Sequence, residues 1–111
     1  KPVDRDDAIA MLLGLSDRSH HVLTAVALRG PYGVGTALSR TRVDFREISR
    51  DEALAYWQSG EPRDKAGAYG IQGLGGLFVS GIDGSYSGVV GLPVFETAGL
   101  LAKAGFELLR M

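Results

Sequence analysis

Residues 59–97 constrain this chain more than any other stretch in it. They read SGEPRDKAGAYGIQGLGGLFVSGIDGSYSGVVGLPVFET and hold most of the sixteen glycines of the sequence. Glycine loses more conformational freedom on ordering than any other residue, so a run this dense needs a reason. Either the backbone turns through positive φ, or it comes close to something, a bound ligand among the options. Among these glycines stand Glu61, Asp64, Lys65, Gln72, Asp83 and Ser85, which bring a cation, carboxylates, an amide and a hydroxyl into one short stretch.

At 111 residues and 45% hydrophobic content the chain makes one domain at most, with a modest core. Twelve basic residues stand against thirteen acidic ones, so no overall field argues for a nucleic acid polymer or an anionic membrane surface. The absence of cysteine excludes a disulfide framework and thiolate chemistry. No apolar run reaches the roughly 18 residues of a membrane span and no signal peptide is apparent, so a cytoplasmic protein is expected.

Asp4, with Asp7 three residues on, forms a capping-box-like start to a helix in which Ala8, Met11, Leu12 and Leu15 share a face, ending near Asp17. Residues 20–28 are β-branched and apolar enough to predict a strand covered on both faces. A turn is expected at residues 29–33. Beyond it, Thr41, Val43 and Phe45 alternate with Arg40, Arg42 and Asp44, as in a strand with one wet face, and the two strands predict an antiparallel hairpin.

Ser49 and Glu52 make an S-x-x-E capping box opening a short helix with Ala53, Leu54 and Trp57 on one side. Gly60 closes that helix and Pro62 prevents its continuation. Residues 77–79 read as a short strand and Asp83-Gly84 as a turn. Pro93 suits the first turn of a last helix carrying Val94, Ala98, Leu101 and Leu108, interrupted at Gly105. The sum is an α/β mixture.

Several reaction chemistries fail on spacing. Residues 70–76, GIQGLGG, have neither the G-x-G-x-x-G of a dinucleotide turn nor the G-K-[ST] ending of a P-loop. In GSYSG, residues 84–88, Tyr86 occupies the place a nucleophilic serine would need. His20 and His21 are neighbours on a strand, point to opposite faces and cannot chelate one metal together. What remains is the glycine block itself. On one reading Asp64 and Lys65 pair at the surface and the glycines only turn corners. On the other the block is a nucleotide pocket, in which Gln72 presents a donor beside an acceptor to a base edge while cations hold phosphates. Composition does not choose between them.

The words of the block carry a resemblance. S-G-E-P-x-D-K-A-G-A-Y-G-I-Q-G-x-G-G from Ser59, continued by I-D-G-S-Y-x-x-V-V-G-L-P-V-x-E-T from Ile82, is similar to the Maf family of nucleoside triphosphate pyrophosphatases. The front of the chain agrees, with Lys1-Pro2-x-Asp4, Ala8, Met11-Leu12 and Leu15-Ser16-x-Arg18-x-His20-x-Val22-x-Thr24. Asp17 departs from the pattern, standing where the family usually has glycine.

The resemblance implies cleavage of a nucleoside triphosphate between its α and β phosphates in a house-cleaning role, with Mg²⁺ or Mn²⁺ as cofactor. A-G-A-Y-G-I-Q-G resembles the branch acting on dTTP, UTP and related pyrimidine nucleotides. It carries Gln72 over as a substrate-specificity residue, Lys1 as the lysine of the K-P pair in the phosphate region, and Asp64 and Lys65 as residues of the cleft wall.

It further implies an α/β fold like that of the inosine triphosphatase superfamily, with a mixed twisted sheet flanked by helices, two lobes and a cleft, forming a homodimer when intact. The family's S-x-S-P-R-R segment and the A-D-T segment with its catalytic aspartate are absent from residues 1–111. The chain is therefore expected to be the C-terminal part of a single Maf domain, with the catalytic aspartate upstream of Lys1. A non-catalytic nucleotide-binding or septum-formation regulatory protein is the rival expectation.

Overall fold

The computed structural model of the chain describes residues 1–31 and 33–109. The chain divides into two units, one of residues 1–20 and 42–82, the other of residues 21–41 and 83–111. A three-stranded sheet has the order β1 (Ser19–Gly30), β2 (Gly33–Phe45), β3 (Val79–Asp83). Phe45 N–H donates to Arg18 O at 2.9 Å and Arg46 N–H to Phe78 O at 2.9 Å, which fixes an antiparallel register on each side of β2. The expected hairpin is present, and its turn falls in part on Tyr32, outside the described residues.

In the first unit, α1 (Arg5–Leu15) begins where Asp4 leaves the helical region and its side chain accepts Asp7 N–H at 2.8 Å. The helix buries Ala8, Ile9 and Leu12 and stops at Leu15, two residues short of the expected end. Its exit is held by Ser16, whose hydroxyl oxygen accepts Ile48 N–H at 2.6 Å. Asp17 follows with φ 54°, and its N–H donates to Arg46 O. That left-handed conformation explains why a glycine suits the position and why aspartate, which tolerates it, can stand there.

The capping box of α2 (Arg50–Gln58) is present in both directions: Glu52 N–H donates to Ser49 Oγ and Ser49 N–H to Glu52 Oε1, each at 3.1 Å. Ala53 faces inward as expected, but Tyr56 takes the inner place assigned to Trp57. Tyr56 stands three residues after Ala53 and continues its stripe. Trp57 is half-buried on the flank under the guanidinium of Arg63, 5.4 Å from its ring centroid.

The core of this unit is aromatic. Phe45 meets Tyr69 at 4.7 Å and His20 at 4.9 Å in edge-to-face contacts, and Tyr56 meets Phe78 in the same way at 5.2 Å. Such pairs contribute about 0.5–1.5 kcal/mol each beyond the area they bury. His20 Nε2 bonds the Tyr69 hydroxyl at 2.7 Å while His21 is exposed, so the two histidines part as the strand geometry requires.

Three expectations need correction. β1 alternates exposed and half-buried residues along its length, so it is not covered on both faces; a period of two with one wet face describes it better. The third strand begins at Val79 and runs to Asp83 rather than occupying residues 77–79, because Leu74–Phe78 coils into a 3-10 turn through the glycines before the chain extends. A short helix, α3 (Tyr86–Val90), was not foreseen. Its β-branched and glycine-rich sequence carries no helical period, and Ser85 starts it by accepting Gly88 N–H at 2.9 Å.

The second unit contains no buried hydrophobic core residue among the described residues; Ser39, Thr41, Gly88 and Pro93 are its buried positions. Thr41 Oγ1 accepts Ser85 N–H at 2.9 Å and donates to Ser85 O, and Thr24 donates to Gly88 O at 2.8 Å. Helix α4 (Val94–Lys103) starts after Pro93 and ends before Gly105 at φ 96°. Val94 is exposed and Leu108 lies beyond the helix, so the apolar face expected through Leu108 is not continuous.

Candidate functional site

The candidate residues of the first unit lie on the chain between α2 and β3. After α2, Gly60 at φ 84° turns the backbone into a 3-10 turn, Glu61–Asp64, whose Pro62 is buried. Lys65 is extended, and then Gly67 and Ala68 are both left-handed, with φ 72° and 68°. For a fully buried alanine this conformation costs about 1–2 kcal/mol. Its effect is to reverse the chain so that the Tyr69 ring enters the aromatic core and the Gly70 amide meets α2.

Residues 70–76 then close on themselves. Gly70 N–H donates to the Tyr56 hydroxyl at 3.0 Å, Gly73 N–H to Gly70 O at 3.2 Å, and Leu74 N–H to Glu61 Oε2 at 2.9 Å. A side chain at either of two glycines would disturb the loop, at position 75 by striking backbone and at position 73 by pushing aside the end of Glu61. A Cβ at position 75 would lie 2.6 Å from Gly70 O and 2.7 Å from the Tyr56 hydroxyl, and one at position 73 would collide with the Glu61 carboxylate. The density of glycine in the sequence thus has a local cause: the loop is wrapped tightly around two side chains that arrive from earlier in the chain.

Burial pushes the Tyr56 hydroxyl up to about 12, opposed by the hydrogen bond from the Gly70 amide and assisted by the nearby Glu61 carboxylate. Burial alone raises Tyr69 to about 12. Both phenols are therefore neutral hydrogen-bonding groups at physiological pH, and neither is a ready base.

Gln72 is exposed at the middle of the loop. The stem of Lys65 passes along the same loop, its Cε 3.3 Å from where a Cβ on Gly70 would be. Asp64 and Lys1 are exposed. Among the described residues no hydrogen bond or ion pair links Lys1, Asp64, Lys65 and Gln72 to one another. Glu61, Lys65 and the Gln72 loop are brought together, whereas Lys1 and Asp64 are not joined to them by any such bond. Asp83 and Ser85 belong to the second unit, where Ser85 serves as the cap of α3.

Among the described residues no group of three or more histidine, cysteine, aspartate or glutamate side chains could hold a metal ion. No helix among them is long and apolar enough to cross a membrane. The residue that sequence reasoning missed is Tyr56, which supports the loop from below. Its three-residue spacing from Ala53 is the signal in the sequence that marks it.

This α/β chain, with its glycine loop folded against a helix, belongs to the Maf family: the sequence model described as Maf-like protein matches residues 1–104. Among curated relatives, the dTTP/UTP pyrophosphatase of Saccharophagus degradans is 58% identical over 101 residues, covering 91% of this chain and 48% of the relative. That of Hahella chejuensis is 56% identical over 108 residues, covering 97% and 54%. That of Colwellia psychrerythraea is 53% identical over 106 residues, covering 96% and 50%. The chain spans about half the length of the curated relatives it matches.

Proposed function

We propose that the protein is a nucleoside triphosphate pyrophosphatase acting on dTTP, UTP and related pyrimidine nucleotides, releasing the monophosphate and pyrophosphate in a house-cleaning role. The observation that carries this reading is the exposed Gln72 at the centre of a loop anchored at both ends, within a sequence 53–58% identical to proteins named for that activity.

An amide offers one donor and one acceptor side by side, which complements the O4/N3–H edge of uracil or thymine. Lys65 beside the loop, and Lys1, are the proposed partners of the phosphates, with Asp64 in the wall of the site. No catalytic base is assigned within this chain, and the general base is proposed to lie upstream of Lys1. Mg²⁺ or Mn²⁺ belongs to the proposal as an ion held largely through the substrate phosphates, the usual habit of magnesium. It would offset charge on the phosphoryl oxygens. A homodimer in the cytoplasm, and a single Maf domain of which residues 1–111 form the C-terminal part, complete the reading.

The test is pyrophosphate release from dTTP and UTP by this chain and by a version extended at the N-terminus. Turnover by the extended version, faster than with purine triphosphates, is expected; activity in neither overturns the enzyme reading in favour of a binding or regulatory protein. Gln72→Glu is expected to lower kcat/KM for dTTP by roughly 10- to 100-fold with little change in thermal stability, since it replaces a donor by a charge facing the base. An unchanged substrate preference would count against the role given to Gln72.

A further inference from the structure

We infer that Glu61 is the positioning residue of the base-reading loop, setting the place of Gln72 without itself touching the nucleotide. This rests on the reading of Gln72 given above. The loop has five residues from one anchor to the other, and Gln72 is its midpoint. At one end Gly70 N–H is held by the Tyr56 hydroxyl at 3.0 Å, and at the other Leu74 N–H is held by Glu61 Oε2 at 2.9 Å.

The second carboxylate oxygen of Glu61 fills the space that Cβ atoms would take at Gly70, 2.8 Å away, and at Gly73. The loop is therefore moulded on this carboxylate, and the glycines are the imprint it leaves in the sequence. Glu61 is half-buried, while Gln72 is exposed and takes no side-chain hydrogen bond among the described residues.

Base reading by an amide needs its backbone placed to within about half an ångström. An exposed glutamine on a glycine-rich backbone is placed through the bonds at the ends of its loop, and the one that follows it is the bond to Glu61. A carboxylate that accepts a backbone N–H makes a stronger bond than a neutral acceptor would. Glu61 thus does for the loop what a cap does for a helix end, and its effect on the reaction passes wholly through Gln72.

The test compares Glu61→Ala, Glu61→Gln and Gln72→Ala in the form of the protein that releases pyrophosphate, using dTTP, UTP and CTP as substrates, and follows amide hydrogen exchange at Gly70 and Leu74. Glu61→Ala is expected to raise KM for dTTP and UTP by roughly tenfold or more with a smaller change in kcat, to lose discrimination against CTP, and to speed exchange at Leu74. Glu61→Gln, which keeps an acceptor of the same shape, is expected to restore most of the discrimination.

If Glu61→Ala does not fold, Gly73→Ala serves instead, since it displaces the carboxylate while leaving the Tyr56 bond in place. Discrimination lost in Gln72→Ala but intact in Glu61→Ala, with Leu74 exchange unchanged, overturns this inference and leaves the base-reading role standing. Discrimination intact in Gln72→Ala overturns that role and this inference with it. Faster Leu74 exchange in Glu61→Ala would then mark the contact as purely structural.

Discussion

In the first unit Phe45 and Tyr69, and Tyr56 and Phe78, set ring edges against ring faces in a buried core; in the second, the buried side chains among the described residues are Ser39, Thr41 and Pro93, and most of the exposed large hydrophobics, Phe95 and Leu38 among them, stand in water. The first unit gains stability by removing apolar surface from solvent, at about 25 cal/mol per Å². The second depends on hydroxyls of Thr24, Thr41, Ser85 and Ser87 bonded to backbone groups, each worth about 1 kcal/mol net. The loop that carries Gln72 is built on the first kind of foundation. That loop is tied to the packed aromatic core at one end by the Tyr56 hydroxyl and held at the other by the Glu61 carboxylate.

The contrast breaks most directly at phenylalanine. Phe45→Ala, at a position 4% exposed, is expected to lower unfolding free energy by about 3–5 kcal/mol, whereas Phe95→Ala, at 84% exposed, should stay within about 0.5 kcal/mol of the parent. Urea denaturation of the two variants makes the comparison, and similar losses would end it. Next in size is Thr41→Val, which removes both bonds to the Ser85 backbone and leaves its N–H unpaired. A loss of about 1–3 kcal/mol is expected in spite of the matched shape, read from the same denaturation curves; a neutral result would mean that hydroxyl bonding is not what holds the second unit.

Asp17→Gly is expected to gain up to about 1 kcal/mol by relieving a left-handed non-glycine residue, visible as a raised thermal midpoint. It sharpens the contrast by showing that even the well-packed unit holds a local strain at the exit of α1.

The smallest effect concerns charge at the first unit's surface. The hydrogen bond from Arg46, then the Ser49 amide, holds the Glu52 carboxylate down at about 2. A folded-state value below that of the unfolded chain, about 4.3, means a contribution present above pH 4.3 and lost as pH falls toward 2. Because both side chains are some two-fifths exposed, the contribution is small. Thermal melts of the parent and Glu52→Gln between pH 2 and 7 should converge at the acid end.

Much of this was legible from local chemistry. The Asp4 and Ser49 caps, the hairpin and the alternation of Thr41, Val43 and Phe45 all depend on residues close in sequence, and the structure has them as read. What was not legible depended on distant partners. The start of β3 was displaced because Gly73 and Gly75 coil against Glu61 and Tyr56 rather than extend. Helix α3 exists through its Ser85 cap and the bonds from Thr24 and Thr41, and its own composition argues against it. At the site, Gln72 and Lys65 stood out as polar residues among glycines. The duty of Glu61, exercised on Leu74 thirteen positions later, has no signature along the chain.

The division of labour within the loop has an evolutionary side. Its curvature is dictated from beneath, by a phenol and a carboxylate, so the residue at its summit is free of any architectural task. On the function proposed above, descendants of this chain can therefore acquire a different nucleobase preference through one substitution at position 72, while the masonry below is inherited unaltered.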